Sequence, residues 1–144
     1  MAYWIVILIG VAGGVAVGTQ ATIAGEMGQK VGGSASSFII HLSGLVFSGI
    51  YLFTRKGEDI NNWQTLPWYM LGAGIFGLLL YLSLNITIPR LGGTFAIILI
   101  IAGQLLAGLI IDHFGFFGVT IRQIDITRLI GILLLILGAY LISK

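Results

Sequence analysis

Residues 92–112 read GGTFAIILIIAGQLLAGLIID, and the first charge in this run is the aspartate that ends it, Asp112. An α-helix rises about 1.5 Å per residue, so roughly 20 apolar residues cross the hydrocarbon core of a bilayer. Comparable runs lie near residues 3–24, 34–54, 67–88 and 126–143. The pattern predicts an all-α integral membrane protein with five transmembrane helices, which form a single transmembrane domain over residues 1–144.

The composition supports the same fold class, because 58% of the 144 residues are hydrophobic, 8% are charged and the mean hydropathy is +1.08. A small water-soluble core could not bury that much apolar surface. The chain has no cysteine, which excludes a disulfide scaffold, a zinc site built on thiolates and a thiol enzyme. The seven Lys and Arg residues are scattered singly, so we expect no nucleic-acid partner.

Proline and glycine mark where the predicted helices begin and end. Pro67 suits the first turn of the third helix, and Pro89 with the pair Gly92-Gly93 should separate the third helix from the fourth. No Lys or Arg precedes the first apolar run, so we expect the first helix to stay in the membrane rather than be cleaved as a signal peptide. The connecting segments are too short to hold a catalytic domain, and an enzyme is the least expected class.

Because five is an odd number of spans, the two chain ends should face opposite sides of the membrane. The basic residues are Arg55, Lys56, Arg122 and Arg128 on the N-terminal side, and Lys30, Arg90 and Lys144 on the C-terminal side. An excess of Lys and Arg in short cytoplasmic loops sets orientation, and four against three is almost no bias. The chain is therefore predicted to insert in both orientations, although a single charge could suffice to fix one.

Neutral polar side chains inside the predicted spans mark the candidate binding surface, since polar groups are costly in lipid. No span has a carboxylate near its middle, which argues against proton or cation exchange centred on a carboxylate. Gln20 and Gln104 are the strongest candidates, because an amide needs up to four hydrogen-bond partners. The others share helix faces: Ser34, Ser37, His41, Gly44 and Ser48 on the second helix, and Tyr81 and Asn85 on the third.

Two interpretations of these polar residues stay open. They could line a vestibule for a solute, or they could only tie helices together through hydrogen bonds worth about 0.6 to 2 kcal/mol each. His41 is the only histidine within a predicted span, and its imidazole could sense or carry a proton near neutral pH. Glycines four residues apart at Gly10, Gly14 and Gly18 favour close helix packing.

Four stretches carry a resemblance to a known family. They are Gly18-Thr19-Gln20, the sequence IPRLG at 88–92, the fourth predicted helix with AGQLL at 102–106 and IDHFG at 111–115, and RLIG at 128–131. They resemble the YdcZ-type small transporters of the drug/metabolite transporter superfamily, and the resemblance covers essentially the whole chain. This chain has Ala24 where an asparagine is usual and His41 where an aromatic residue is usual. It also lacks the first-helix glutamate of the related small multidrug exporters.

The resemblance implies an exporter or exchanger of small solutes, and a chain that forms one half of an inverted repeat. Larger relatives join two five-helix halves in opposite orientation. Two copies of this chain inserted oppositely would rebuild that arrangement, with the solute site near the midplane of the membrane.

The sequence thus predicts a transporter of a small polar solute in a bacterial inner membrane, working by alternating access as an antiparallel homodimer or with a paired homologue. The predicted solute-binding residues are Gln20, Gln104, His41, Asn85, Tyr81 and Ser37. No metal, cofactor or catalytic residue is expected. Asp112 and His113 should cap the fourth helix or gate its end, with Arg122 or Arg128 as a partner for Asp112. A passive channel and a non-transporting subunit of a membrane complex are the alternatives.

Overall fold

The computed structural model describes residues 3–55 and 58–142, and no strand occurs in these two ranges. The α-helices are α1 (Tyr3–Val31), α2 (Gly33–Thr54), α3 (Trp68–Leu71), α4 (Gly74–Leu91), α5 (Gly93–Phe114) and α6 (Ile126–Ile142). Two short 3-10 segments, Ile60–Thr65 and Phe116–Gly118, lie in the connections. The predicted all-α fold is confirmed.

Within the described residues, four stretches are long and apolar enough to cross a membrane: Tyr3–Val31, Gly33–Thr54, Trp68–Leu91 and Gly93–Phe114. The fifth predicted span corresponds to α6, which is apolar but has 17 residues. That length is at the lower end of the range for transmembrane helices, about 17 to 25 residues. The chain is therefore a multi-pass membrane protein. Ser143, the last residue of the predicted fifth span, lies outside the described residues, as do Lys56 and Lys144.

The first helix is longer than predicted, because α1 continues to Val31 instead of ending near residue 24. Glu26 and Lys30 lie in this extension. A helix can leave the hydrocarbon and continue in the headgroup layer, where charges are solvated, so charge alone does not end it. The end comes at Gly32, which adopts a φ of 88° that L side chains rarely take.

The helices in the region of the third predicted span differ from the prediction near both prolines, Pro67 and Pro89. The helix begins directly after Pro67 but is interrupted between α3 and α4, at Gly72 and Ala73. Pro89 does not end α4, which runs on to Leu91. Proline removes one helical hydrogen bond, in this case the bond to the carbonyl of Asn85. The side-chain amide of Gln29 donates to that carbonyl at 3.3 Å, so a neighbouring helix supplies the donor that Pro89 lacks.

The turn between α1 and α2 has a counterpart between α4 and α5. The sequence KVGGS at 30–34 corresponds to RLGGT at 90–94. Gly32 and Gly92 both have a positive φ, and each donates its N–H to the carbonyl four residues earlier at 2.9 Å. The two helical hairpins therefore turn by the same local device, and the basic residue before each turn lies at the C-terminal end of a helix, where the dipole favours a cation.

The described helices fall into two compact units, Met1–Ile86 and Thr87–Lys144. In the first, α1 packs against α2 around Ala24 and Ser36, both 0% exposed. The hydroxyl of Ser36 donates to the carbonyl of Ala24 at 2.9 Å and so links the two helices. Leu84 of α4 is also almost completely buried. The single domain predicted over residues 1–144 stays a prediction.

In the second unit, α5 packs against α6, with Ala102, Ile132 and Ala139 buried. Gly115 ends α5 in the left-handed conformation, with a φ of 66°. The chain then returns along the end of α5, where the N–H of Arg122 donates to the carbonyl of Asp112 at 2.9 Å. This return brings the start of α6 to the C-terminal end of α5.

Candidate functional site

His41 is anchored to its own helix through one ring nitrogen. Its Nδ1 lies 2.7 Å from the carbonyl oxygen of Ser37 and 3.3 Å from the Ser37 hydroxyl. A carbonyl oxygen can only accept, so Nδ1 donates and carries a hydrogen. In the neutral ring the other nitrogen, Nε2, therefore has a free lone pair.

The free side of the His41 ring faces α4. The imidazole lies edge to face against Tyr81, with ring centroids 5.4 Å apart and an interplanar angle of 89°. Nε2 approaches the backbone at Gly77, where a Cβ would lie only 2.6 Å from it. The absence of a side chain at Gly77 thus makes room for this ring nitrogen.

Asn85 lies on the same face of α4 as Tyr81, one turn further along. Its Nδ2 donates to the carbonyl of Tyr81 at 2.7 Å. Its carboxamide occupies the space where a side chain at Gly28 of α1 would be, and a Cβ at Gly33 would lie 3.3 Å from Nδ2. The Oδ1 atom of Asn85 is buried and has no hydrogen-bond donor among the residues that the structure describes.

These contacts fix how α2 and α4 run relative to each other. Gly33 of α2 is near Asn85, and His41 is near Gly77. The two contacts are eight residues apart on both helices and in opposite chain directions, so α2 and α4 are antiparallel neighbours over about 12 Å.

A groove of about 460 Å³ opens beside the His41 ring. It is lined by Ser34, Ser37, Phe38, His41, Gly74, Ile75 and Leu78. The predicted stripe on the second helix is thus brought together at Ser34, Ser37 and His41. Ser37 is 2% exposed in the single chain and Tyr81 is 8% exposed, whereas the imidazole itself is accessible.

Gln20 lines a different groove, on another face of α2. This groove has a volume of about 620 Å³, and it is lined by Ala16, Val17, Thr19, Gln20, Ile23, Met27, Ile39, Ile40 and Ser43. Consecutive residues of a helix point about 100° apart, so Ile40 and His41 of α2 face different neighbours. The structure therefore does not bring Gln20 together with His41.

Gln104 lines a groove of about 360 Å³ between α5 and α6 in the second unit. Gln104, Gly108 and Asp112 are four residues apart and share the face of α5 that borders this groove, and Arg128 and Gly131 of α6 border it from the other helix. The groove combines one amide inside the span with an acid and a base at the membrane surface.

The expected partner of Asp112 is Arg128, whose guanidinium lies 3.9 Å from the carboxylate. Arg122 contributes only its backbone N–H. Asp125 caps α6 by accepting the N–H of Arg128 at 2.8 Å, and it also lies 3.9 Å from the guanidinium. Arg128 thus holds the carboxylate at the C-terminal end of α5, which the helix dipole alone would disfavour.

His113 has a structural contact that the sequence did not indicate. Its Nδ1 accepts the N–H of Ile124 at 3.3 Å and so ties the returning loop to the end of α5. No group of three or more His, Cys, Asp or Glu within residues 3–55 and 58–142 is placed to hold a metal ion.

A protein-family model described as "Putative inner membrane exporter, YdcZ" matches residues 5–141. This chain belongs to the YdcZ family. No curated protein and no solved structure matches it. The family is one of exporters rather than enzymes, so this YdcZ protein is a membrane transporter of the inner membrane, and the resemblance found in the sequence is confirmed.

Sequence reasoning missed three residues that position the site in this YdcZ protein: Gly28, Gly77 and Gln29. Gly77 is one of 22 glycines, and nothing in the sequence shows that it faces a ring. The signal for Gln29 was Pro89, because a proline inside a helix leaves one carbonyl that needs another donor. Nothing in the sequence distinguished Gly28 from the glycines of α1 that have open space where a side chain would be.

Proposed function

We propose that this YdcZ protein exports a small polar solute across a bacterial inner membrane by alternating access, as an antiparallel pair of chains. The observation that carries the proposal is the polar cluster of Ser37, His41, Tyr81 and Asn85, built on two membrane helices beside an open groove. Polar side chains at this depth are costly unless they have a use, and hydrogen bonding to a desolvated solute is such a use.

Two further grooves support a polar solute, since each has one glutamine among apolar side chains. Gln20 borders the groove between α1 and α2, and Gln104 borders the groove between α5 and α6. A primary amide both donates and accepts, so it can replace the water lost by many kinds of polar group. We propose that both amides bind the solute at some stage of transport.

The antiparallel pair is supported by charge and by exposed surface. The loops carry nearly equal numbers of basic residues on the two sides, which gives the membrane little basis for a single orientation. Gly10, Gly13, Gly14 and Gly18 of α1 have open space where a side chain would be. Small residues on an uncovered helix face allow a second helix to approach closely. The second chain would be another copy or a paired homologue.

The solute-binding assignment is tested with Gln20→Ala and Gln104→Ala. Purified wild-type protein in liposomes is screened for counterflow of radiolabelled amino acids, sugars, nucleosides and polyamines. For the solute that it exchanges, we expect each variant to lower the rate several-fold, because a lost hydrogen bond is worth about 0.5 to 1.5 kcal/mol. Thr54→Ala is the control, since this hydroxyl lies at the end of α2 and donates to the carbonyl of Tyr51 in its own helix.

Unchanged exchange in both glutamine variants would contradict the site assignment. Saturable counterflow is expected of a carrier, whereas flux that never saturates would indicate a channel. If no solute moves in the wild type, the transporter proposal itself is wrong and a subunit role remains.

The antiparallel pair is tested by labelling single cysteines in a chain that naturally has none. We expect Asn61→Cys, in the connection between α2 and α3, to react with a membrane-impermeant maleimide from both sides of inner-membrane vesicles. Comparable fractions should be labelled from each side. Labelling from one side only, with no oppositely oriented homologue in the same membrane, would contradict the proposed arrangement.

A further inference from the structure

Export of a solute against its concentration gradient can be driven by an ion that enters down its own gradient. This inference rests on the proposed export function. A coupling ion has to bind within the membrane at a group that can hold and release it. The described residues contain few ionisable side chains that meet this condition. Most lie in loops or within about two turns of a helix end, as do Glu26, Lys30, Arg90, Asp112, His113 and Arg128.

His41 is the exception among the described acids and bases other than tyrosine. It is eight residues from Gly33 at one end of α2 and thirteen from Thr54 at the other, which places it about 12 Å and about 20 Å from the two ends. A bilayer core is roughly 30 Å thick, so the imidazole lies inside it.

The contacts of the ring separate its two nitrogens into different roles. Nδ1 stays bonded to the carbonyl of Ser37 whether the ring is neutral or charged, because it carries a hydrogen in both forms. Only Nε2 changes, and this atom lies against the backbone at Gly77, where a Cβ would be only 2.6 Å away. A proton can therefore bind and leave without breaking the hydrogen bond that orients the ring.

We propose that Nε2 of His41 is the proton-binding site through which this YdcZ protein couples solute export to proton entry. The step is a reversible protonation: the Nε2 lone pair takes a proton from water and later returns it to water. The groove of about 460 Å³ beside the ring has room for several water molecules, each of about 30 Å³.

Few other titratable groups lie on the helices around His41. Tyr81 of α4 faces the His41 ring directly. The remaining titratable groups lie elsewhere on α1, α2 and α4, and they are Tyr3, Glu26, Lys30, Tyr51 and Arg90. No carboxylate within the described helices competes for the proton at this depth.

The first experiment observes the proton directly. The chain has two histidines, so a His113→Gln variant labelled with ¹⁵N-histidine and placed in phosphatidylglycerol nanodiscs reports His41 alone. We expect the neutral ring to carry its hydrogen on Nδ1, and we expect the proton that binds when the pH is lowered to appear on Nε2. The opposite neutral tautomer, or an Nε2 that never gains a proton as the pH is lowered, would overturn the proposal.

The second experiment measures coupling, with the solute identified by the counterflow screen. In wild-type liposomes we expect a pH gradient to raise uptake several-fold over uptake at equal pH. In His41→Gln this ratio should fall to one, while Thr54→Ala, at the end of α2, keeps the wild-type ratio. If a pH gradient does not accelerate exchange by the wild type, the proton site is wrong but the export proposal stands. The same holds if the gradient still accelerates exchange by His41→Gln. Absence of all exchange contradicts the export proposal, and the nanodisc titration still decides the proton site.

Discussion

Replacing Gly28 with alanine is expected to destabilise the protein by roughly 1 to 3 kcal/mol, the usual cost of forcing an extra methyl group into a packed contact. The carboxamide of Asn85 occupies the space that the new Cβ needs, and the contact joins α1 to α4. To make room, Asn85 must give up its 2.7 Å hydrogen bond to the carbonyl of Tyr81. Its Oδ1 is already buried without a donor among the described residues, so no other bond there offsets the loss.

The matched control for this prediction is Gly49→Ala, in α2, where the glycine has open space around it and lies outside the surface proposed for the second chain. Alanine is favoured over glycine in a helix by roughly 0.5 to 1 kcal/mol, so this change should stabilise the protein. The free energy of unfolding is measured by denaturant titration in lipid bicelles. The Gly28→Ala change is then repeated in an Asn85→Ala background, where the clash is gone and the cost should largely vanish. Equal effects at Gly49 and Gly28 would contradict the contact.

The membrane spans were predictable because they depend on composition over about 20 residues, which local detail hardly alters. The run at 92–112 became α5 with only small shifts at its ends. The end of α1 was not predictable in the same way, since Glu26 and Lys30 read as a loop but lie on a helix that continues to Gly32. Charge indicates where lipid ends, whereas glycine with a positive φ indicates where the helix ends.

The candidate site was predictable in its residue types but not in its grouping. Spacing on α2 placed Ser34, Ser37 and His41 on one face, and all three line the groove beside His41, while their role in solute binding stays a prediction. Spacing within one helix carries no information about which neighbour the face meets, and so the separation of Gln20 from His41 could not be foreseen. The same limit applies to Gly77, whose role depends on the ring opposite it.

Gly77→Ala is expected to reduce solute exchange by about tenfold without unfolding the protein. The added Cβ would lie 2.6 Å from Nε2 of His41, so the ring must move. The ring can move only by lengthening or breaking the 2.7 Å bond from Nδ1 to Ser37. Loss of such a bond is worth about 0.5 to 1.5 kcal/mol, and about 1.4 kcal/mol corresponds to a tenfold change in rate.

Gly77 acts through His41, so its effect has to disappear when His41 is absent. In a His41→Ala background we expect Gly77→Ala to cause no further loss of exchange, because the imidazole that would clash is gone. Gly49→Ala, on the same helix as His41 but outside the candidate face and with open space around it, is the control and should retain wild-type exchange. The ¹⁵N signals of His41 give a second measurement that simple destabilisation would not change, since Gly77→Ala should weaken the preference for a hydrogen on Nδ1. An unaltered tautomer together with a tenfold loss of exchange would show that Gly77 acts on transport by another route.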